Sequence, residues 1–264
     1  MYEWPLINDN ISEDDKDKLV EFIKTPGARF TQHENVRKFE EEWSAWLGAN
    51  HTTYVNSGAS ANWIMASILK EVTGVGEVIL SPFGWVSDVV PFLVNGFKPV
   101  FVDVDMHNMS SSTDAIIDAI TEDTKAVLMV HILGFNGLTE KLMNVLDEKG
   151  IMLIEDCCES HGATFNGRKI GTFGSMSNFS FYFGHHMTTI EGGTVCTNDP
   201  KIHDLARMFR SHGMTREASD VTQNYYKENY PDLNPLFTFA VPGFNVRSHE
   251  LCAVMGRNQL KRLD

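Results

Sequence analysis

The 264-residue chain carries 22 Lys+Arg against 35 Asp+Glu, a formal charge of −13, with 42% hydrophobic and 22% charged residues. That is a globular composition with room for one large domain or two small ones, and the acidic balance leaves no basic stripe for nucleic acid. No apolar run approaches the roughly 20 residues of a membrane span, the opening MYEWPLINDNISEDD lacks a signal-peptide order, and Cys157, Cys158, Cys196 and Cys252 follow neither disulfide-framework nor zinc-ribbon spacing, so a reduced, soluble, cytoplasmic protein is expected.

Two amphipathic stretches open the chain. In the second, Val36, Phe39, Trp43, Trp46 and Leu47 recur at helical spacing and Gly48 stops them. Short apolar runs then alternate with helical stretches. Val78–Leu80, Val100–Val102, Ala126–Val130 and Ile151–Ile154 lack polar alternation, as strands do in a parallel sheet covered on both faces. Between them Ile116, Ile117 and Ile120 mark one helix, and Leu138, Leu142, Val145 and Leu146 mark another, closed by Gly150. This alternation predicts an α/β fold with a mainly parallel sheet and ligands beyond the C-terminal strand ends. Asn166-Gly167 signals a hairpin. Residues 178–197 read as strand, polar crossing, strand, and a helix spans about 201–210. Residues 219–242, turn-rich and without periodicity, read as a long functional or interface loop. The stretch 250–263 reads as a final helix.

Five features can carry chemistry. Asn56-Ser57-Gly58-Ala59-Ser60-Ala61 follows a strand and opens a helix near Ser60, a place where backbone amides suit a phosphate or simply make a tight turn. Glu155-Asp156 ends a strand, where a carboxylate either meets a protonated ring nitrogen or caps the next turn. Ser180-Phe181-Tyr182-Phe183-Gly184-His185-His186 precedes Glu191-Gly192-Gly193. Adjacent histidines on an extended chain face opposite ways, so one can be catalytic and the other structural, and no further metal ligands keep a recognisable spacing. Trp85 lies just past a strand end, free to stack on a planar cofactor or to fill core. Arg210-Ser211-His212-Gly213-Met214-Thr215-Arg216 and Gly243-Phe244-Asn245-Val246-Arg247 offer arginines for carboxylate or phosphate, or for surface ion pairs.

In this order, the SG-x-S-A turn, EDCCESHGA, SFY…EGG, and GFNVR ahead of a helix ending QLKRL resemble the DegT/DnrJ/EryC/StrS sugar aminotransferase family, over about residues 5–264. The resemblance implies the large domain of the aspartate-aminotransferase fold, binding pyridoxal 5′-phosphate or pyridoxamine 5′-phosphate. It implies that Gly58, Ala59 and Ser180 hold the phosphate, Trp85 covers the ring, Asp156 pairs with the ring nitrogen and Glu159 makes a further polar contact. Asn245 is expected to reach the phosphate of a partner subunit, giving a homodimer with shared sites. The family continues into a small C-terminal domain, so the resemblance implies that residues 1–264 are a fragment carrying the N-terminal segment and large domain.

One departure bears on function. The family's Schiff-base lysine falls five residues after the serine of SF and six before the glutamate of EGG, and both counts arrive at His185. No lysine lies between Lys169 and Lys201. A histidine there keeps a general base but loses the covalent tether. The resemblance is therefore strongest to the family's dehydrating branch, which removes the 3-hydroxyl of nucleotide-linked 4-keto-6-deoxyhexoses. That branch implies glutamate as the regenerating amine donor, with His212 and Arg216 contacting it. An amination by way of His185, and a silent protein that only binds a nucleotide sugar, are the alternatives. The stretch 213–246 holds no cysteine for an iron–sulfur cluster, and no metal is expected.

Overall fold

The computed structural model describes Pro5 and residues 7–264; residues 1–4 and 6 of the opening stretch read for a signal pattern lie outside them. Ser12 caps helix α1 (Glu13–Lys24) in a reciprocal capping box with Asp15. Helix α2 (Glu34–Leu47) buries Val36, Phe39, Trp43 and Leu47 and ends at Gly48, whose φ of 86° is the left-handed stop that the sequence predicts. The chain then runs β1 (His51–Val55), α3 (Gly58–Thr73), β2 (Glu77–Leu80), α4 (Val90–Asn95), β3 (Lys98–Phe101), α5 (Thr113–Ala119), β4 (Thr124–Val130), α6 (Glu140–Lys149) and β5 (Met152–Asp156). A hairpin of β6 (Thr164–Phe165) and β7 (Arg168–Lys169) follows. Its turn puts Asn166 at φ 49° and Gly167 at φ 78°, the geometry that favours Asn-Gly. Strands β8 (Met176–Ser180) and β9 (Gly193–Thr197) precede helices α7 (Pro200–Arg210), α8 (Asp220–Asn229) and α9 (Glu250–Leu260).

Seven strands form one sheet in the order β1-β9-β8-β5-β4-β2-β3. Pairings are parallel from β3 through β2, β4 and β5 to β8, and antiparallel on both sides of β9. Six strands therefore share one direction, and their C-terminal ends share one edge.

Alternate residues of the central strands feed two cores. Ile79, Val127 and Met129 pack with Phe39, Trp43, Leu142 and Phe179 on one face. Val78, Leu80, Ala126, Leu128 and Ile154 pack with Ile64, Ile68, Leu69 and Phe209 on the other. Covering both faces is why these runs show no polar alternation.

Two expectations are corrected. Strand β3, read as buried, is the sheet edge: none of its four residues is buried and Phe101 is 53% exposed. Residues 219–242, read as loop, contain α8, which buries none of its residues and so has no apolar stripe to reveal it. Helix α3 also starts two residues earlier than expected, at Gly58. Among the described residues no helix is long and apolar enough to cross a membrane, and the four cysteines are free.

Candidate active site

Strands β1, β5 and β8 deliver Ser57, Asp156 and Ser180 to the same edge of the sheet. Ser57 caps α3 by accepting from the Ser60 N–H at 3.1 Å, and Ala61 N–H is bound to the Ser57 carbonyl. Among the described residues nothing accepts from the N–H groups of Gly58 and Ala59, which start α3. Free amides at a helix N-terminus, with the positive end of its dipole, make an anion cradle. Two glycines let the wall close around it. A Cβ on Gly58 would lie 2.7 Å from Ser180 Cβ and 3.1 Å from its Oγ; one on Gly193 would lie 2.5 Å from the Ser57 carbonyl carbon. Glycine at both positions brings the α3 N-terminus against the Ser180 hydroxyl, as a phosphate held by both requires.

Asp156 is 5% exposed. Its Oδ1 accepts from Cys158 N–H at 3.0 Å, and its Oδ2 accepts from Asn178 Nδ2 at 3.0 Å and Asn62 Nδ2 at 3.2 Å. The carboxylate thus both caps the turn after β5 and is held by donors on α3 and β8. Neighbouring Glu155 does something else: it is buried and accepts from Gly171, Phe173 and Gly174 N–H groups and from His131, bracing the turn ahead of β8. Burial works to raise the Glu155 carboxyl, but His131 and these amides hold it below its ordinary value.

His185 lies in the crossing between β8 and β9, in a turn closed by its own N–H to the Tyr182 carbonyl. Its ring is partly buried, with the Tyr182 ring edge-on at 6.0 Å. Burial lowers its pKa, while the Glu159 and Asp156 carboxylates pull the other way. Glu159 and Asp156 are thus the charged groups that act on this ring. His186 is exposed, and its pKa is also lowered by burial of part of the ring, against Glu159. Glu159 itself accepts from Leu133 N–H at 3.0 Å. Lys169, nearest in sequence among lysines preceding the crossing, is occupied elsewhere, donating to the Trp46 carbonyl at 2.6 Å and lying over its ring.

Trp85 stands in the turn after β2, 74% exposed, so it is not core; its N–H donates to Asp88 Oδ2 at 2.8 Å. Gly58, Ala59, Ser180, Asp156, Glu159, His185 and Trp85 thus occupy one edge of the sheet. Asn245, His212 and Arg216 belong to a different neighbourhood. Asn245 bridges Ser211, His212 N–H meets the Phe244 carbonyl, and all three side chains are exposed. Arg216 donates to the Leu236 carbonyl at 3.1 Å. The 245–247 segment still reaches the anion cradle's flank, since Asn56 N–H donates to the Val246 carbonyl and Val55 bridges Arg247.

Sequence reasoning missed Asn62, Asp88, Asn178 and His161. The first three form a buried polar network around Asp156. His161 is boxed by Trp43, Phe179 and Phe181, with the His186 ring 5.2 Å and the His185 ring 6.4 Å away. Burial first, then His186 and His185, lowers its pKa well below the ordinary value, so it is neutral. Asn62 had a usable signal, one helical turn past Gly58. His131, Glu155 and Cys157 hold metal-ligand-type atoms within 4.8 Å of one another. Their lone pairs are spoken for: His131 Nδ1 accepts from Gly137 N–H, leaving Nε2–H for Glu155, and burial keeps the Cys157 thiol protonated. The trio is structural.

The family model for the DegT/DnrJ/EryC1/StrS aminotransferases matches residues 9–264, and the chain belongs to that family. Its fold is that of the pyridoxal-phosphate-dependent aminotransferases. A GDP-4-keto-6-deoxy-D-mannose 3-dehydratase of Yersinia pseudotuberculosis is 32% identical over 268 residues, which is all of this chain and 68% of that protein. Two solved structures of GDP-4-keto-6-deoxymannose 3-dehydratase, each 29% identical, superpose with TM-scores of 0.87 over 99% of this chain and 68% of theirs. One is a histidine-to-asparagine mutant with bound GDP-perosamine. The other holds a trapped geminal diamine of pyridoxal phosphate and glutamate. The chain spans about two thirds of the length of these relatives.

Proposed function

We propose that the protein is a dehydratase of dideoxysugar biosynthesis. It removes the 3-hydroxyl from a nucleotide-linked 4-keto-6-deoxyhexose, using untethered pyridoxamine 5′-phosphate regenerated by glutamate. The observation that carries this reading is His185: a partly buried imidazole, not an amine, stands in the crossing between β8 and β9, acted on by the Asp156 and Glu159 carboxylates, at the position where the family's Schiff-base lysine is expected.

The residues fit the cofactor. Gly58 and Ala59 N–H groups and the Ser180 hydroxyl are suited to bind its phosphate, Asp156 its protonated ring nitrogen, and Trp85 its face. When bound, the pyridine ring supplies an electron sink to the substrate carbons. Three donors, Cys158 N–H, Asn178 Nδ2 and Asn62 Nδ2, hold the Asp156 carboxyl in place for that contact. His185, whose pKa burial lowers, is neutral at pH 7 and offers a free ring nitrogen to take a proton and return it. The exposed Trp85, Tyr182 and Phe183 are apolar surfaces that a substrate, or the partner of a homodimer, would shield from water. In that dimer Asn245 would reach the partner's phosphate, while His212 and Arg216 would meet the glutamate carboxylates.

Amination is the second reading, favoured by the family's aminotransferase members. The full-length enzyme incubated with pyridoxamine 5′-phosphate, glutamate and GDP-4-keto-6-deoxymannose separates the two. Mass spectrometry is expected to find a sugar lighter by one oxygen, with free ammonia. An amino sugar instead would sink the dehydratase reading.

A further inference from the structure

Beneath the Trp85 turn lies a second buried carboxylate, Asp88, only 2% exposed. Its Oδ1 accepts from Asn62 Nδ2 at 3.0 Å, and the same nitrogen donates to Asp156 Oδ2 at 3.2 Å. Its Oδ2 accepts from Trp85 N–H at 2.8 Å. The turn is wrapped tightly on this oxygen: a Cβ on Gly84 would lie 2.8 Å from it. Among the described residues no lysine or arginine pairs with either carboxylate. The other titratable neighbours are Cys158, a thiol that burial keeps protonated, and His185 on the Asp156 side.

Two dry carboxylates joined by one amide nitrogen cannot both ionise cheaply, so the pair keeps a proton. Burial, followed by the Asp156 charge, pushes Asp88 well above the ordinary carboxylate range, so the proton rests on Asp88. A neutral Asp88 still accepts from both Asn62 and the Trp85 backbone.

We propose that Asp88 is a positioning residue that ties together the two walls of the cofactor cleft. Through Asn62 it orients the Asp156 carboxylate, and through the Trp85 N–H it fixes the indole that lies across the ring. The inference rests on the reading of Asp156 and Trp85 given above. Seating a cationic pyridine ring on Asp156 and ordering Trp85 over it then become one event.

The test is equilibrium binding of pyridoxamine 5′-phosphate and of inorganic phosphate, followed by tryptophan emission and assigned with Trp85→Phe. Asp156→Asn should weaken pyridoxamine 5′-phosphate binding tenfold or more and leave phosphate binding unchanged; if both are unchanged, the ring-nitrogen reading fails and takes this proposal with it. With Asp156 so verified, a folded Asp88→Ala should bind at least tenfold more weakly and lose the Trp85 quench. Wild-type affinity with the quench retained would overturn the role of Asp88 alone. Asp88→Asn decides the matter should the alanine protein fail to fold, because the amide keeps one accepting oxygen and sets a donor against either Asn62 Nδ2 or the Trp85 N–H, breaking one of the two ties. It should bind at least tenfold more weakly or lose the Trp85 quench; wild-type affinity with the quench intact overturns the proposal.

Discussion

Gly58→Ala tests the anion cradle with a single methyl group. Its φ lies outside the left-handed region, so alanine meets no backbone strain and the effect is one of space. The added Cβ would sit 2.7 Å from Ser180 Cβ, 3.1 Å from Ser180 Oγ and 3.2 Å from Cys158 Sγ. An unstrained carbon pair stays ~3.5–4.0 Å apart, so the first contact is short by about an ångström. Neither partner yields easily: Ser180 ends β8, locked by its pairing with Gly193, and Cys158 Sγ accepts from Asn178 Nδ2. Overpacking of this kind costs about 1–3 kcal/mol of stability. The displaced Ser180 hydroxyl or α3 amides would lose one charge-assisted hydrogen bond to a phosphate, about 1.5–3 kcal/mol. The dissociation constant for pyridoxamine 5′-phosphate should therefore rise roughly 10- to 100-fold. Fluorescence titration of the folded variant measures this, with unphosphorylated pyridoxamine as control, since its binding should change little. Equal losses for both compounds, or phosphate-ester binding within twofold of wild type, would refute the cradle.

Two further outcomes follow from the histidines. His185→Lys should restore a covalent link to pyridoxal 5′-phosphate, visible by mass spectrometry after borohydride reduction, and abolish dehydration; a wild-type protein already trapped through one of its lysines would contradict the untethered cofactor. His203 is pushed down to about 3 by burial, then by Arg207 and His51. A histidine that takes its proton at about 6.5 when unfolded but resists it when folded makes stability fall as pH drops below that value. Between pH 7 and pH 5.5 this group alone should cost about 1 kcal/mol by urea unfolding. His203→Gln should remove that share of the slope, and an unchanged slope would show that His203 is not the group responsible.

Much of the scaffold could be read along the chain because its causes are local. Strand β4 buries alternate residues in opposite cores, so its sequence is apolar throughout. Gly48 and Gly150 stop helices through positive φ, and Asn166-Gly167 turns a hairpin. The edge strand β3 defeated the same reasoning: Val100 and Phe101 are as apolar as the central strands, and only the strand order reveals that, among the described residues, nothing pairs beyond them. Helix α8 escaped for the opposite reason, since a helix that buries nothing leaves no period to detect.

The site divides along the same line. Ser57-Gly58, Asp156 and Ser180 each end or follow a strand, and strand ends are visible in sequence. Asn62 and Asp88 are not visible in this way, being joined to Asp156 across 94 positions for Asn62 and to one another across 26. What joins them is hydrogen bonding: carboxyl groups buried at a strand end and in a turn need amide donors, and Asn62 Nδ2 serves Asp156 and Asp88 at once. An Asp or Asn on a helix face looks like ordinary solvated polarity until the sheet folds and its water is removed. His185 occupies the intermediate case. Its place can be counted from Ser180 and Glu191, but its lowered pKa comes from burial of the ring, which outweighs the pull of Glu159 and Asp156. The position is written in the sequence; the lowered pKa is made by the surroundings.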